Sequence, residues 1–329
     1  MAVTTAIQTA DLGTSVDRFQ HAAETFFQGL ANISWGYLAV ALVLWLALQL
    51  ARAHAWANAL RAAYPGRRVS ETSIAAAFLI GAGINGIMPA RAGDAVKVVL
   101  GKRSIEGSSY PAIASSFAAL APFDTGIGVL VLVYAITQGL LPAAPRFPHL
   151  PAFEIAFWAA HPEVLMLTLT ALGIGAIVLF AFLARRVELF WQRLKQGLAI
   201  FRQPARYARE VAGWQLVGWL CRFGSFWLFL EAFGVGGSAQ NVLLVMSVQS
   251  ITGALPFTPG GVGAEQALLV ATLSGAPRAL VLAYSVGQEL AITAFSVAIA
   301  FLALLLVYRT GDWRRLIREG EAAGAEPVK

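Results

Sequence analysis

Ile84-Asn85-Gly86-Ile87-Met88-Pro89 and Ile251-Thr252-Gly253-Ala254-Leu255-Pro256 end two apolar limbs in the same manner, with a Gly and then a Pro. Both lead on through a Gly (Gly93, Gly263) and an acidic residue (Asp94, Glu265) into a second apolar limb. Pro has no backbone N–H and its ring clashes with the turn before it, so a helix stops there. Each stretch therefore reads as helix, break, helix: a broken hairpin. One apolar run precedes each hairpin and one follows it, which divides the chain into two related halves.

The flanking runs are 33–50, 111–141 (interrupted at Pro122), 211–232 and 279–308, with a further run at 164–184 between the halves. A helix crosses the hydrocarbon core of a bilayer with about 20 residues. Apolar residues make up 58% of the chain and charged ones 13%, and the mean hydropathy is +0.67. A soluble domain carries charge at roughly a quarter of its positions, so lipid must cover much of this surface. Only helices or closed barrels satisfy their own backbone groups in hydrocarbon. Period-two alternation is absent, and the expected fold is an all-α, polytopic membrane bundle.

The net charge of +6 is a statement about topology, not about nucleic acid, because the Lys and Arg sit beside apolar runs. They gather in 52–68 (a basic loop holding Arg52, Arg61, Arg67 and Arg68), 97–103, 185–209 and 309–318. The remaining connecting segments hold only Arg18, Arg146 and Arg278. With the basic set in the cytoplasm, 73–100 begins and ends inside and 241–275 begins and ends outside. The two hairpins are then re-entrant from opposite faces, and the halves are inverted repeats joined by the span 164–184. That arrangement is a transporter signature, with the binding site at the breaks.

The expected organisation follows. Residues 1–32 form an arm with an interfacial helix (Phe19, Ala23, Phe26, Phe27, Leu30), and 33–141 form membrane repeat 1. Residues 142–210 supply a Pro-rich loop, the linking span and a basic amphipathic helix over 187–201. Residues 211–308 form repeat 2, and 309–329 a short charged tail in the cytoplasm. The arm carries Asp11, Asp17 and Glu24 and no basic n-region, unlike a cleavable signal peptide. The expected location is the cytoplasmic (inner) membrane.

Candidate site residues fall in two groups. At each tip the second limb begins with backbone N–H groups that lack helical partners, a setting that attracts anions. Asn85, Pro89, Arg91, Gly93 and Asp94 form the first tip, and Pro259, Gly260, Gly261, Gly263 and Glu265 the second. Arg91 suits bidentate phosphate contact, or else pairs with Asp94; Asp94 and Glu265 also suit helix capping. The second group is Asp124, Arg222 and Glu289, ionisable residues within apolar runs, where charge is costly and faces the protein interior or water. Arg222 is the expected partner of Glu289. Cys221 has nothing to pair with, so disulfides are excluded. His21, His54, His149 and His161 show no metal-ligand spacing, and no nucleophile elbow or P-loop is present. No metal, no cofactor and no catalytic residue are expected.

The two tips resemble the signature segments of the lysylphosphatidylglycerol synthase transmembrane-region family, the flippase-like domain proteins. Its first motif, about Asn-x-x-Leu-Pro-Ala-Arg-x-Gly-Glu, aligns with Asn85, Met88, Pro89, Ala90, Arg91, Gly93 and Asp94. Its second, about Pro-x-x-Pro-Gly-Gly-x-Gly with a Glu soon after, aligns with Pro256, Pro259, Gly260, Gly261, Gly263 and Glu265. Where the family often has Glu-Arg-x-x-Asp, Ala121-Pro122-Phe123-Asp124 keeps only the Asp, which puts a charged network there in doubt. The chain is not expected to carry the cytosolic aminoacyl-transferase domain of full-length synthases, and aminoacylation is therefore not among the activities that the resemblance implies. The resemblance implies lipid translocation or a related lipid-handling role, and some family members are linked to hopanoid or glycolipid pathways. The leading expectation is a flippase for an anionic or phosphate-linked lipid, with such lipids as its partners. The alternatives are an accessory subunit of an envelope-lipid synthesis enzyme and an intramembrane lipid-modifying enzyme.

Overall fold

Alternating alanines carry the first helix far beyond its apolar run. In the computed structural model α1 spans Trp35–Ala63, 29 residues, or about 44 Å at 1.5 Å per residue. Arg52 and Arg61 therefore lie on this helix and not in a loop, which corrects the sequence expectation. Ala51, Ala53, Ala55, Ala57 and Ala59 are buried; Ala is the best helix former, and its small side chain lets neighbouring helices approach closely.

The structure describes residues 32–88, 92–138, 191–253 and 264–308. The expected interfacial helix of the arm, the linking span 164–184 and the tail lie outside them. So do Pro89, Arg91, Pro259, Gly260, Gly261 and Gly263 at the hairpin tips.

The first hairpin comprises α2 (Glu71–Ile87) and α3 (Ala92–Arg103). Ser70 caps α2, its Oγ accepting from the Ser73 N–H at 3.4 Å. The helical run α4 (Tyr110–Thr137) tightens to a 3-10 turn at Phe117–Ala119 and resumes as α-helix at Ala121. Pro122 stands in the first turn of the resumed segment, where its missing N–H is harmless. A π-helical turn at Ala208–Ala212 leads into α5 (Gly213–Ala232). The second hairpin comprises α6 (Ala239–Gly253) and α7 (Ala264–Thr272), and α8 (Arg278–Val307) follows. The Asn241 N–H donates to Ser238 Oγ at 3.0 Å, the counterpart of the Ser70 cap.

Every regular element among the described residues is helical. Helices α1, α4 and α8 are long and apolar enough to cross a membrane. Large apolar side chains of α8, including Leu290, Phe301, Leu302 and Leu306, face outward, as lipid contact requires. Helix α5 has 20 residues but carries Gln215, Arg222 and Glu231. It packs along α1 in the most extensive helix pair of the bundle.

Two apolar cores form. One gathers Trp56, Leu60, Ile74, Phe78, Leu100 and Ile113 from α1–α4, with Ala303 and Leu304 from α8. The other gathers Phe226, Phe229, Val245, Leu269 and Tyr284 from α5–α8, with Val131 from α4. Each core thus takes in part of the last helix of the other half: α2 packs on α8, and α6 packs on α4.

Glycine sets the closest approaches. A methyl group on Gly93 would overlap the Gly81 carbonyl, and one on Gly81 would lie 2.5 Å from the Gly93 oxygen. The α2 and α3 backbones therefore touch there, as small residues permit in membrane bundles. Gly83 similarly seats α2 against Ala300 and Ser296 of α8. Residues 191–197 are helical and lead into a 3-10 turn at Ala199–Arg202. Gln196 Nε2 donates to the Ala63 carbonyl at 3.0 Å, and Gly197 sits against Ala112 and Ser115. This part of the predicted amphipathic helix is thus docked on α1 and α4. Its Trp191 and Phe201 are exposed.

Candidate functional site

At the first hairpin, Asn85 ties the end of α2 to the start of α3. Its Oδ1 accepts the Gly93 N–H at 2.8 Å, and its Nδ2 donates to Asp94 Oδ1 at 3.1 Å. The Gly93 amide, expected to be open to an anion, is thus capped from within. Gly93 admits another backbone and not a headgroup. Lys97 stands one turn along α3 and reaches back to Asp94 Oδ1 at 2.8 Å. The ammonium also lies over the Phe78 ring, 4.4 Å from its centroid, a cation–π contact. Lys97 is buried. It is a site residue and not, as its place at the end of a limb suggested, part of the basic border.

Asp124 has a partner that its own motif lacks. Arg52 of α1 grips it with two parallel bonds, Nη1 to Oδ1 at 3.1 Å and Nη2 to Oδ2 at 2.7 Å. Trp219 Nε1 of α5 donates to Oδ1 at 2.9 Å. A fork-on-carboxylate pair is both stronger and more directional than a single contact. The charged network around Asp124 therefore exists, with its cation supplied 72 residues upstream.

These two ion pairs face one cavity of about 460 Å³. Arg52, Asp124, Asp94 and Lys97 all line it, with Phe78, Phe117 and Leu120 as apolar wall. Two cations and two carboxylates leave it with no net charge. A phosphate entering it meets Arg52 and Lys97 after opening a pair, and a zwitterionic headgroup meets both signs.

The second hairpin is also bridged by an amide and a carboxylate. Gln249 Nε2 of α6 donates to Glu265 Oε1 of α7 at 3.1 Å. The Gln249 oxygen accepts from Arg222 Nη2 at 3.1 Å. The guanidinium lies 5.0 Å from the Trp219 ring centroid and 5.3 Å from that of Phe226. Arg222 is thus not the partner of Glu289, which corrects that expectation. Glu289 instead accepts a hydrogen bond from Gln266 Nε2 at 3.3 Å and lines a larger cavity of about 760 Å³ with Gly86, Gln266 and Thr293. The structure therefore brings together Asn85, Gly93 and Asp94, and separately Arg222 and Glu265. Trp219 lies between the clusters, bonded to Asp124 by its N–H and to Arg222 by its face.

Sequence reasoning missed Arg52, Lys97, Trp219 and Gln249. Lys97 was signalled by its i,i+3 spacing from Asp94. Gln249 was signalled as an amide inside an apolar limb, and Arg52 by the need of Asp124 for a cation.

At the opening of the first hairpin, Glu71 accepts from His54 and from Arg61 Nη2 (3.1 Å). The His54 hydrogen bond, partly opposed by burial and aided by Arg61, holds the Glu71 carboxyl below its ordinary value. Among the described residues no group of three metal-ligating side chains occurs.

Residues 20–300 match the family described as "Lysylphosphatidylglycerol synthase TM region". No curated protein and no solved structure matches the chain.

Proposed function

The chain belongs to the lysylphosphatidylglycerol synthase TM region family, membrane proteins of lipid metabolism or flippase type, and on that premise we propose that it moves an anionic or phosphate-linked lipid between leaflets. The observation that carries this reading is the neutral cavity of Arg52, Asp124, Lys97 and Asp94. Charged groups inside a bilayer are retained where they face a polar path. Cations held by carboxylates are available to a phosphate without standing unpaired in its absence.

Inverted repeats with re-entrant hairpins belong to the same proposal. Exchanging the halves maps α1 on α5, α2 on α6, α3 on α7 and α4 on α8. The pair α1–α5 maps on itself, and α2–α8 maps on α6–α4. Both are principal contacts of the bundle. The Ser70 and Ser238 caps, and the amide-to-carboxylate bridges, correspond too. Two such halves rocking against each other would open the site alternately. We place the chain in the inner membrane with its C-terminus in the cytoplasm, following the basic segments. The activity resides in the membrane bundle and requires no catalytic residue.

The test is reconstitution into vesicles with fluorescent phosphatidylglycerol or a labelled polyprenyl-phosphate lipid in one leaflet. Redistribution should occur and fall at least about tenfold in Arg52→Gln. Wild-type protein that redistributes neither lipid under any ion gradient overturns the reading. The exposed Trp191 and Phe201 beside Lys195 and Arg202 favour a second reading, an accessory subunit seating an envelope-lipid enzyme. Autonomous transport by the isolated chain would remove it.

A further inference from the structure

Arg222 is held by one side-chain hydrogen bond, to Gln249, and by two aromatic faces. Its Nε is buried without a partner among the described residues. Gln249 occupies its other end with Glu265. A primary amide has an acceptor at one end and donors at the other. Bridging a guanidinium and a carboxylate therefore sets its orientation: oxygen toward Arg222, nitrogen toward Glu265. That orientation depends on charge, because an ionised carboxylate only accepts whereas a carboxylic acid also donates.

The surroundings of Glu265 fit such a change. Helix α6 presents Gln249, with Arg222 of α5 behind it, and α8 presents Glu289 and Tyr284, all within electrostatic range. The Tyr284 hydroxyl is fully buried and has no partner among the described residues. The buried Arg222 Nε and Tyr284 hydroxyl thus keep hydrogen-bonding capacity that a rearranged partner or an incoming oxygen can take up.

We propose that Glu265 takes up a proton and that Gln249 passes the change to Arg222, freeing it to bind the phosphate of an anionic lipid; the last step rests on the lipid-transport reading above. The proton comes from water and adds to a carboxylate oxygen of Glu265, and no other covalent bond forms or breaks. The new O–H donates to Gln249 Oε1 and the amide turns. Its NH₂ group then faces Arg222, a donor facing a donor, and the guanidinium loses its side-chain acceptor. At the same moment one negative charge has left its surroundings. A phosphate oxygen restores both, so one proton and one anionic charge enter together and the net charge is unchanged. Trp219 separates Arg222 from the Arg52–Asp124 cavity, and displacement of its indole joins the two.

The experiment titrates short-chain phosphatidylglycerol into the detergent-solubilised full chain between about pH 8 and about pH 5. Wild type should bind at least about tenfold more tightly at the acidic end. Infrared difference spectra should show the carbonyl band of a protonated carboxylic acid appearing over the same range. Glu265→Gln should lack that band and bind tightly at every pH. Gln249→Leu should keep the band and lose the pH response of binding, which separates relay from titration and decides the matter if Glu265→Gln does not fold. Wild-type binding that is flat with pH, or a pH response that survives in Glu265→Gln, overturns the proposal. A band that depends on Glu265, with phosphatidylglycerol bound at no pH, removes the lipid reading and leaves the proton site standing.

Discussion

The two hairpins are built alike and balanced differently. Each opens on a Ser cap, each joins its limbs through a side-chain amide and a carboxylate at 3.1 Å, and each packs its first limb on the last helix of the other half. In the first, the amide is Asn85 at the tip end of α2. The cation for Asp94 is Lys97, on the same helix. In the second, the amide is Gln249, deeper in its limb, and the cation is Arg222 on another helix, reached only through that amide. A charge compensated within one helix moves with it as a unit. A charge compensated across three helices changes partners when any of them shifts. On the proposal above, the first hairpin is the fixed wall of the cavity and the second the responsive element.

The sharpest break of this comparison is Gly81→Leu. The α2 and α3 backbones touch at Gly81 and Gly93, and no rotamer relieves the overlap. A loss of about 3 kcal/mol or more is expected from overpacking, seen as a lost monodisperse peak and a lower melting temperature in detergent. A variant as stable as wild type would show that the limbs are held apart.

Next comes the contrast between Lys97→Met and Arg222→Met. The first removes a buried ammonium together with its contacts to Asp94 and the Phe78 ring and should cost about 1–2 kcal/mol. The second removes a cation with no carboxylate directly on it and should change stability by about 1 kcal/mol or less. The reverse order in thermal unfolding would assign the structural pair to the second hairpin.

Asn85→Ala removes a cap and a tether and should cost about 1–2 kcal/mol. Asn85→Asp should be worse than Ala, because it sets a second carboxylate against Asp94.

The smallest effect concerns Glu71. Its carboxyl titrates below its ordinary value of 4.5 in the folded chain. Its contribution is therefore present above that value and lost as pH falls through the folded one. Half exposed and screened, the group should contribute about 0.5 kcal/mol or less. Lowering the pH through that range should reduce the melting temperature slightly more in wild type than in Glu71→Gln.

Much of this architecture was legible in order of residues. Pro89, Pro122 and Pro256 interrupt apolar runs, and such interruptions are read locally because Pro acts on its own turn. The outer limb ends expected at 73, 100, 241 and 275 lie within about three residues of the helix ends at Glu71, Arg103, Ala239 and Thr272. The length of α1 was misread. Arg52 looked like a loop residue because charge normally ends a span, and only the Asp124 carboxylate opposite makes its place inside tenable.

The sequence alone determined that this is a helical membrane protein with two broken apolar runs, since hydrocarbon admits few structures and Pro inside a run stops the helix before it. It also named the family, through motifs confined to the two tips. Which charge faces which was decided only by the tertiary structure. Arg52 and Asp124 lie 72 residues apart, and Gln249 lies between Arg222 and Glu265 because three helices bring these side chains together. Pairing across helices depends on register and crossing, and no local spacing encodes either. The broken runs were written in the chain; their different charge balance arose on folding.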